Sequence, residues 1–118
     1  HYVKYLEMAR CQFLEEIGYT YDVMKKQGFG WPIVQLNIKY VNPALFRQKI
    51  RIELKVVEYE TCLRIDYVIF DAKTNQKLTT ASTTQVAVSM QTREMQLQTP
   101  PCWQSAVKTH PTFVSEGE

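Results

Sequence analysis

The first stretch of the chain alternates apolar and polar residues with the period of an α-helix. Gly18 follows this stretch, where a left-handed C-terminal cap is expected. The pattern predicts one long helix with a buried apolar stripe and a charged outer side. The residues of the stripe recur at steps of three and four: Tyr2, Tyr5, Leu6, Ala9, Phe13, Leu14 and Ile17.

A short helix and four strands are predicted after it. Thr20 is a favourable N-cap for a helix over Tyr21–Lys26, and Gly28 lies just beyond its end. Apolar and polar residues then alternate with a period of two, which indicates half-buried strands. The predicted strands cover residues 33–40, 50–56, 63–70 and 78–90. Short connections between the last three favour an antiparallel meander.

The elements together predict an α+β fold, because the helix stripe and one face of the sheet can bury each other. We assign residues 1–100 to a single domain and residues 101–118 to a C-terminal tail. In the tail, Trp103 and Phe113 are candidates to dock on the domain, and residues 115–118 are expected to fray.

Charge and cysteine content narrow the function classes. The 118 residues include 14 Lys and Arg against 12 Asp and Glu, and the net charge of +2 gives no indication of nucleic-acid binding. Cys11, Cys62 and Cys102 lie far apart in odd number, which argues against a disulfide framework or a zinc site and favours the cytoplasm. No apolar run reaches the length of a membrane span or has the flanks of a signal peptide.

Three segments carry a resemblance to a known family. The segment HYVKYLEMAR at residues 1–10 resembles a helix start of the form N-Y-x-x-Y-x-E-x-A-R. The strand at 34–40 with the Asn-Pro-Ala after it, and the long strand at 78–90, are similar to later parts of the same pattern. Over roughly residues 1–100 the chain resembles the 4-hydroxybenzoyl-CoA thioesterase family. The resemblance implies a hot-dog fold, in which a long antiparallel sheet wraps around one central helix.

The resemblance also implies a site at the N-terminus of the first helix. A buried helix start offers free N–H groups to a developing oxyanion, and the family places the thioester carbonyl there. His1 and Tyr2 would then line the pocket; their plainer interpretations are a terminal residue and a core aromatic. The family's catalytic Asp belongs to a loop upstream of His1, so the sequence predicts missing residues there, or else a protein without that group. Arg47 and Gln48 stand where the family has Gly-Asp, which departs from its pattern.

The remaining candidates are weaker. Glu7 is either a catalytic carboxylate or, more simply, an ion-pair partner of Arg10 one turn later. A CoA substrate needs cations for its phosphates, and a pocket could also use hydroxyl groups on the last strand. The substrate-binding candidates are Tyr5, Arg47, Lys49, Thr80, Ser82 and Thr84.

The sequence shows no phosphate-binding loop, serine-triad context or metal-ligand cluster. What the resemblance implies, and what we predict, is an acyl-CoA thioesterase that needs no metal or redox cofactor, with coenzyme A as part of the substrate. The alternative is a hot-dog module that binds acyl-CoA or an acyl carrier protein without hydrolysing the thioester. The resemblance implies a homodimer or a dimer of dimers (a homotetramer).

Overall fold

The computed structural model describes residues 2–42, 49–109 and 112–117. The helices are α1 Tyr2–Glu16, α2 Tyr21–Lys26 and α3 Pro101–Thr109. The strands are β1 Phe29–Gly30, β2 Ile33–Tyr40, β3 Ile50–Glu58, β4 Leu63–Asp71, β5 Lys77–Gln85, β6 Val88–Ser89 and β7 Thr112–Gly117. The bounds of α2 and β2 are those predicted from the sequence pattern.

The main sheet is five-stranded and antiparallel, in the order β2-β5-β4-β3-β7. Its centre is the β3-β4-β5 meander, which confirms the predicted topology. The predicted last strand is divided in the structure, because β5 ends at Gln85 and β6 leaves the sheet to pair with β1. In the described residues β2 pairs along one side only, with β5, so its other side is a free edge.

The predicted cap at the end of α1 is present. Gly18 adopts a positive φ of 74°, which an L side chain rarely tolerates. The N–H of Gly18 donates to Glu15 O at 3.1 Å, and the N–H of Tyr19 donates to Leu14 O at 2.9 Å. These two bonds form a Schellman motif, which ends the helix and turns the chain toward α2.

One face of the sheet is buried and holds the core with α1. Along β4, Leu63, Ile65, Tyr67 and Ile69 are buried, whereas the residues between them are half-buried or exposed. Side chains of a strand point alternately to its two faces, so the buried set shares the helix side. The stripe of α1 contributes its own buried members to the same core: Leu6, Ala9, Phe13 and Leu14. This arrangement is the hot-dog fold that the sequence predicts.

Residues 101–109 and 112–117 pack on this body. In α3, Trp103 and Val107 are fully buried, and β7 continues the sheet by pairing with β3. The predicted docking of Trp103 is confirmed. The expectation of fraying differs from the structure for residues 115–117, which pair with residues 50–52 of β3.

Candidate active site

A small cavity lies between the N-terminal half of α1 and strand β2. Its volume is about 150 Å³. Most of its wall is apolar, with polar groups from α1 and β5. The lining residues are Val3, Leu6, Glu7, Arg10, Ile33, Leu36 and Thr83. A mostly apolar pocket with a few convergent polar groups is the usual form of a small-molecule site.

The start of α1 adds an electrostatic feature beside this cavity. The helix begins at Tyr2, and its first turn contains no acidic side chain. The first N–H groups of a helix have no partner inside the helix, and the helix dipole is positive at this end. Val3, in the first turn, lines the cavity, so the free amides lie next to it. The arrangement can therefore polarise a carbonyl oxygen that points at the helix start.

Buried polar groups form the inner wall. Arg10 is only 5% exposed, and its Nε donates to the Tyr21 hydroxyl at 3.0 Å. Thr83, on β5, shares a hydrogen bond of 2.8 Å with the hydroxyl of Tyr67. Gln85, also on β5, donates from Nε2 to the Trp31 carbonyl at 2.8 Å. Because Arg10 and Thr83 both line the cavity, buried polar residues form part of its wall.

The ionisation of these groups reflects their burial. Burial raises the pKa of Tyr67, and the hydrogen bond to Thr83 and the charge of Arg10 only partly oppose it. For Arg10, burial lowers the pKa, but the Tyr67 and Tyr21 phenols more than offset this and the net direction is upward. The network therefore keeps Arg10 charged and Tyr67 neutral.

The structure places the predicted helix-start residues as follows. His1 lies outside the described residues, and for Tyr2 only the backbone, which starts α1, is described. Tyr5 is half-buried and packs against the core. Glu7 lines the cavity but is exposed, and the Nε of Arg10 bonds to Tyr21 rather than to this carboxylate. Among the residues that the structure describes, the ion pair is that of Arg51 with Glu53.

The predicted substrate-binding residues on β5 lie on the other side of the sheet. Thr80 and Ser82 line a shallow cavity of about 400 Å³ on the outer face, together with Asn37, Lys39 and Asp66. Thr84 follows the same alternation, since Thr83 and Gln85 are on the core side. A single chain therefore does not bring these hydroxyls together with the start of α1.

The cation candidates are less defined. Lys49 is exposed just before β3, and its carbonyl accepts a hydrogen bond of 2.9 Å from Ala72 N. Arg47 lies outside the described residues. Across the described ranges, no cluster of three or more His, Cys, Asp or Glu side chains is arranged to hold a metal ion.

Sequence reasoning missed the inner wall of the cavity. Arg10 was interpreted as a surface partner of Glu7, yet it lies four residues after Leu6 and three before Phe13, which places it on the buried stripe. That spacing is the signal that could have identified it. Thr83 gave no such signal, because a Thr on a strand is ordinary.

Strand β2 borders the cavity and exposes apolar side chains. Ile33, Val34, Leu36 and Tyr40 are between 42% and 67% exposed. An exposed apolar strand with a free edge is a template for pairing with another chain. The open side of the cavity therefore lies next to a surface suited to a protein contact.

The fold is that of a hot-dog protein, and the cavity at the start of α1 is its candidate site. The chain matches the family model of the thioesterase-like superfamily over residues 1–113 and belongs to this superfamily. As the sequence predicted, it is a thioester hydrolase.

Solved structures agree with this assignment. The chain is similar to the DHNA-CoA thioesterase from Staphylococcus aureus, with 26% identity, a TM-score of 0.78, and coverage of 92% of this chain and 74% of that chain. It is also similar to a 1,4-dihydroxy-2-naphthoyl-CoA thioesterase from Synechocystis, with 20% identity and a TM-score of 0.76; the match covers 92% of this chain and 80% of that chain. A third similar structure is a hypothetical protein from Staphylococcus aureus in complex with CoA, with 10% identity and a TM-score of 0.82; the match covers 92% of this chain and 68% of that chain. The latter two similarities establish the fold alone.

No match to a curated protein was found. Within the described residues, no helix is both long and apolar enough to cross a membrane.

Proposed function

We propose that this protein hydrolyses acyl-CoA thioesters to a free acid and CoA, with the thioester carbonyl at the N-terminus of α1. The observation that carries the proposal is the cavity that adjoins the free amides of α1. Apolar side chains such as Leu6 and Leu36 suit an acyl group, and the helix start suits the oxyanion. The similarity to a DHNA-CoA thioesterase supports CoA as the thiol part of the substrate.

The attacking water requires a base. The family resemblance assigns this role to an Asp upstream of residue 1, and we keep that assignment in the proposal. Glu7 is the carboxylate that lines the cavity within the described residues. The proposed reaction uses water and needs no metal or redox cofactor, and the proposed location is the cytoplasm.

We further propose that the active form is a homodimer joined at the free edge of β2. A second copy would cover the exposed apolar side chains of β2 and close the open side of the cavity. It could also bring cations such as Lys49 within reach of the CoA phosphates. Whether two dimers associate further depends on the outer face of the sheet, where Thr80 and Ser82 lie.

The first experiment measures thiol release by the full-length protein from short, long and aromatic acyl-CoAs. Steady turnover of at least one substrate is the expected result. Binding of acyl-CoA without thiol release from any member of the panel would favour the non-catalytic module.

The second experiment separates the two carboxylates. Loss of a general base lowers kcat by about 10²- to 10⁴-fold. We expect that loss when the upstream Asp is changed to Asn. Glu7→Gln should lower kcat by less than about tenfold, and Glu15→Gln, at the far end of α1, is the matched control. A loss as large as that of the Asp variant would instead assign the base role to Glu7.

The third experiment addresses the dimer. Val34, on β2, is 58% exposed, and Val34→Lys places a charge on the free edge. Sedimentation should show a wild-type dimer and a variant whose dissociation constant is at least about tenfold weaker. Leu97→Lys, at a loop residue that is 79% exposed, is the control and should stay dimeric. A dimer that tolerates Val34→Lys would place the interface elsewhere.

A further inference from the structure

Arg10 carries a positive charge inside the protein, and no carboxylate among the described residues pairs with it. Its side chain is 95% buried, since only 5% is exposed, and a guanidinium stays charged at all accessible pH values. Its Nε donates to the hydroxyl of Tyr21, a neutral acceptor. Through the described ranges of the chain, no Asp or Glu forms an ion pair with Arg10. Buried charges are normally paired, so the arrangement lacks its expected counter-charge.

This charge borders the cavity beside α1. Arg10 and Thr83 are both more than nine-tenths buried, and both line that cavity. The hydroxyl of Thr83 bonds to that of Tyr67, which is also a hydrogen-bond partner of Arg10, so the guanidinium is bonded to the neutral phenols of Tyr21 and Tyr67. Glu7 also lines the cavity but is exposed, whereas Arg10 is buried. A ligand with an acceptor at its buried end would therefore meet Arg10.

We propose that Arg10 selects acyl groups whose far end carries a carboxylate. The proposal rests on the proposed function, because it uses the same cavity and the same orientation of the thioester. A guanidinium binds a carboxylate through charge-assisted hydrogen bonds, which are stronger than those between neutral groups. Bound there, the carboxylate supplies the counter-charge that the protein itself lacks, and the apolar wall of Leu6, Ile33 and Leu36 surrounds the chain between the two ends.

Dimensions restrict the length of the acyl group. The rise along α1 from Tyr2 to Arg10 is about 12 Å, and long helical side chains lean toward the N-terminus, which shortens the distance to the guanidinium. A cavity near 150 Å³ holds a group of about the size of one benzene ring. A dicarboxylic acyl group of medium length, such as adipoyl, satisfies both limits.

The test compares adipoyl-CoA with hexanoyl-CoA, which share a carbon chain and differ in the terminal carboxylate. The full-length wild type should prefer adipoyl-CoA by about tenfold or more in kcat/KM. Arg10→Met should lower kcat/KM for adipoyl-CoA at least about tenfold more than it lowers kcat/KM for hexanoyl-CoA. Arg10→Lys keeps the charge and should restore part of the preference. If Arg10 has a purely structural role, its replacement will lower kcat/KM equally for both substrates, and that result would overturn the inference.

A further measurement needs only the wild type, in case the Arg10 variants do not fold. Free adipate should inhibit hydrolysis at a concentration about tenfold or more below that required for adipamide, the neutral diamide of the same length. Equal inhibition, or equal kcat/KM for the two substrates, would overturn the role of Arg10 and leave the thioesterase proposal standing. No turnover of any acyl-CoA would overturn both proposals.

Discussion

Replacement of Trp103 by Ala tests whether α3 belongs to the structural core. The indole is fully buried, and its ring centroid lies 5.0 Å from that of Tyr19 and 5.3 Å from that of Trp31. Tyr19 lies between α1 and α2, and Trp31 lies after α2. The indole therefore joins α3 to the segments on both sides of α2. The substitution removes these contacts and leaves a cavity.

The size of the effect follows from burial. Replacement of a buried Phe or Trp by Ala typically costs about 3–5 kcal/mol. Since a domain of this kind is stable by about 5–15 kcal/mol, we expect Trp103→Ala to remove roughly a fifth of the free energy of unfolding or more. Trp103→Phe should cost less than half as much. It keeps an aromatic ring and removes an indole N–H that has no hydrogen-bond partner in the structure.

The assay is unfolding in urea, monitored by circular dichroism. Tryptophan fluorescence is less suitable as the signal, because the substitution itself removes a tryptophan. Leu97→Ala is the control, since its side chain is 79% exposed and surface changes usually stay within about 0.5 kcal/mol. A loss below about 1 kcal/mol for Trp103→Ala would mean that α3 does not pack on the body, and the reasoning would be wrong.

Two further predictions concern the backbone and a buried phenol. Gly18→Ala should lower the free energy of unfolding in urea by about 1–2 kcal/mol, because Gly18 has a φ of 74°. Gly30→Ala is the control and should be nearly neutral, because the φ of Gly30 is not positive and no described atom lies within 4 Å of the added Cβ. Equal losses for the two variants would refute the backbone explanation. The raised pKa of Tyr67 means that the unfolded chain releases this proton first, near pH 10, so stability is intact below that pH and falls above it. Tyr67→Phe should reduce this loss of stability at alkaline pH, whereas Tyr40→Phe, at an exposed site, should not. If the pH dependence of stability is unchanged in both variants, the prediction is contradicted.

The elements that the sequence pattern located well are those with a local cause. The alternation over Ile33–Tyr40 and the capped segment Tyr21–Lys26 match the observed bounds, because period and caps are properties of neighbouring residues. The C-terminal elements were missed for a related reason. The sequence pattern assigns residues from 101 onward to a tail, yet Pro101 is the first residue of α3, where a proline's missing N–H is harmless.

The remaining miss in the fold depends on tertiary pairing. Residues 112–117 contain Thr, Ser, Glu and Gly, and this composition alone favours a loop. In the structure they form β7 because β3 offers a free edge, and Phe113 packs on Phe13 of α1 with ring centroids 6.2 Å apart. A strand that depends on such distant partners leaves little local signal.

The candidate site likewise has one part that the sequence could predict and one part that it could not. The start of α1 is a local feature, and the sequence could indicate its chemistry. The cavity wall combines Arg10 of α1, Ile33 of β2 and Thr83 of β5, which are far apart in the chain and meet only through the sheet register. The register pairs Leu36 with Thr83 across β2 and β5, so the apolar and polar parts of the wall lie side by side.

Strand β2 connects the fold to the proposed dimer. Its alternation predicts one buried face, yet Leu36 and Tyr40, on the side of the core, are 42% and 67% exposed. A strand keeps such a face apolar at a cost in solubility unless another surface covers it. The same face forms one wall of the cavity, so in the proposed dimer the second copy would also enclose the acyl group. The proposal therefore predicts that activity depends on self-association. The kcat/KM of Val34→Lys should be low in dilute protein and recover at high protein concentration, and a loss independent of concentration would refute the coupling.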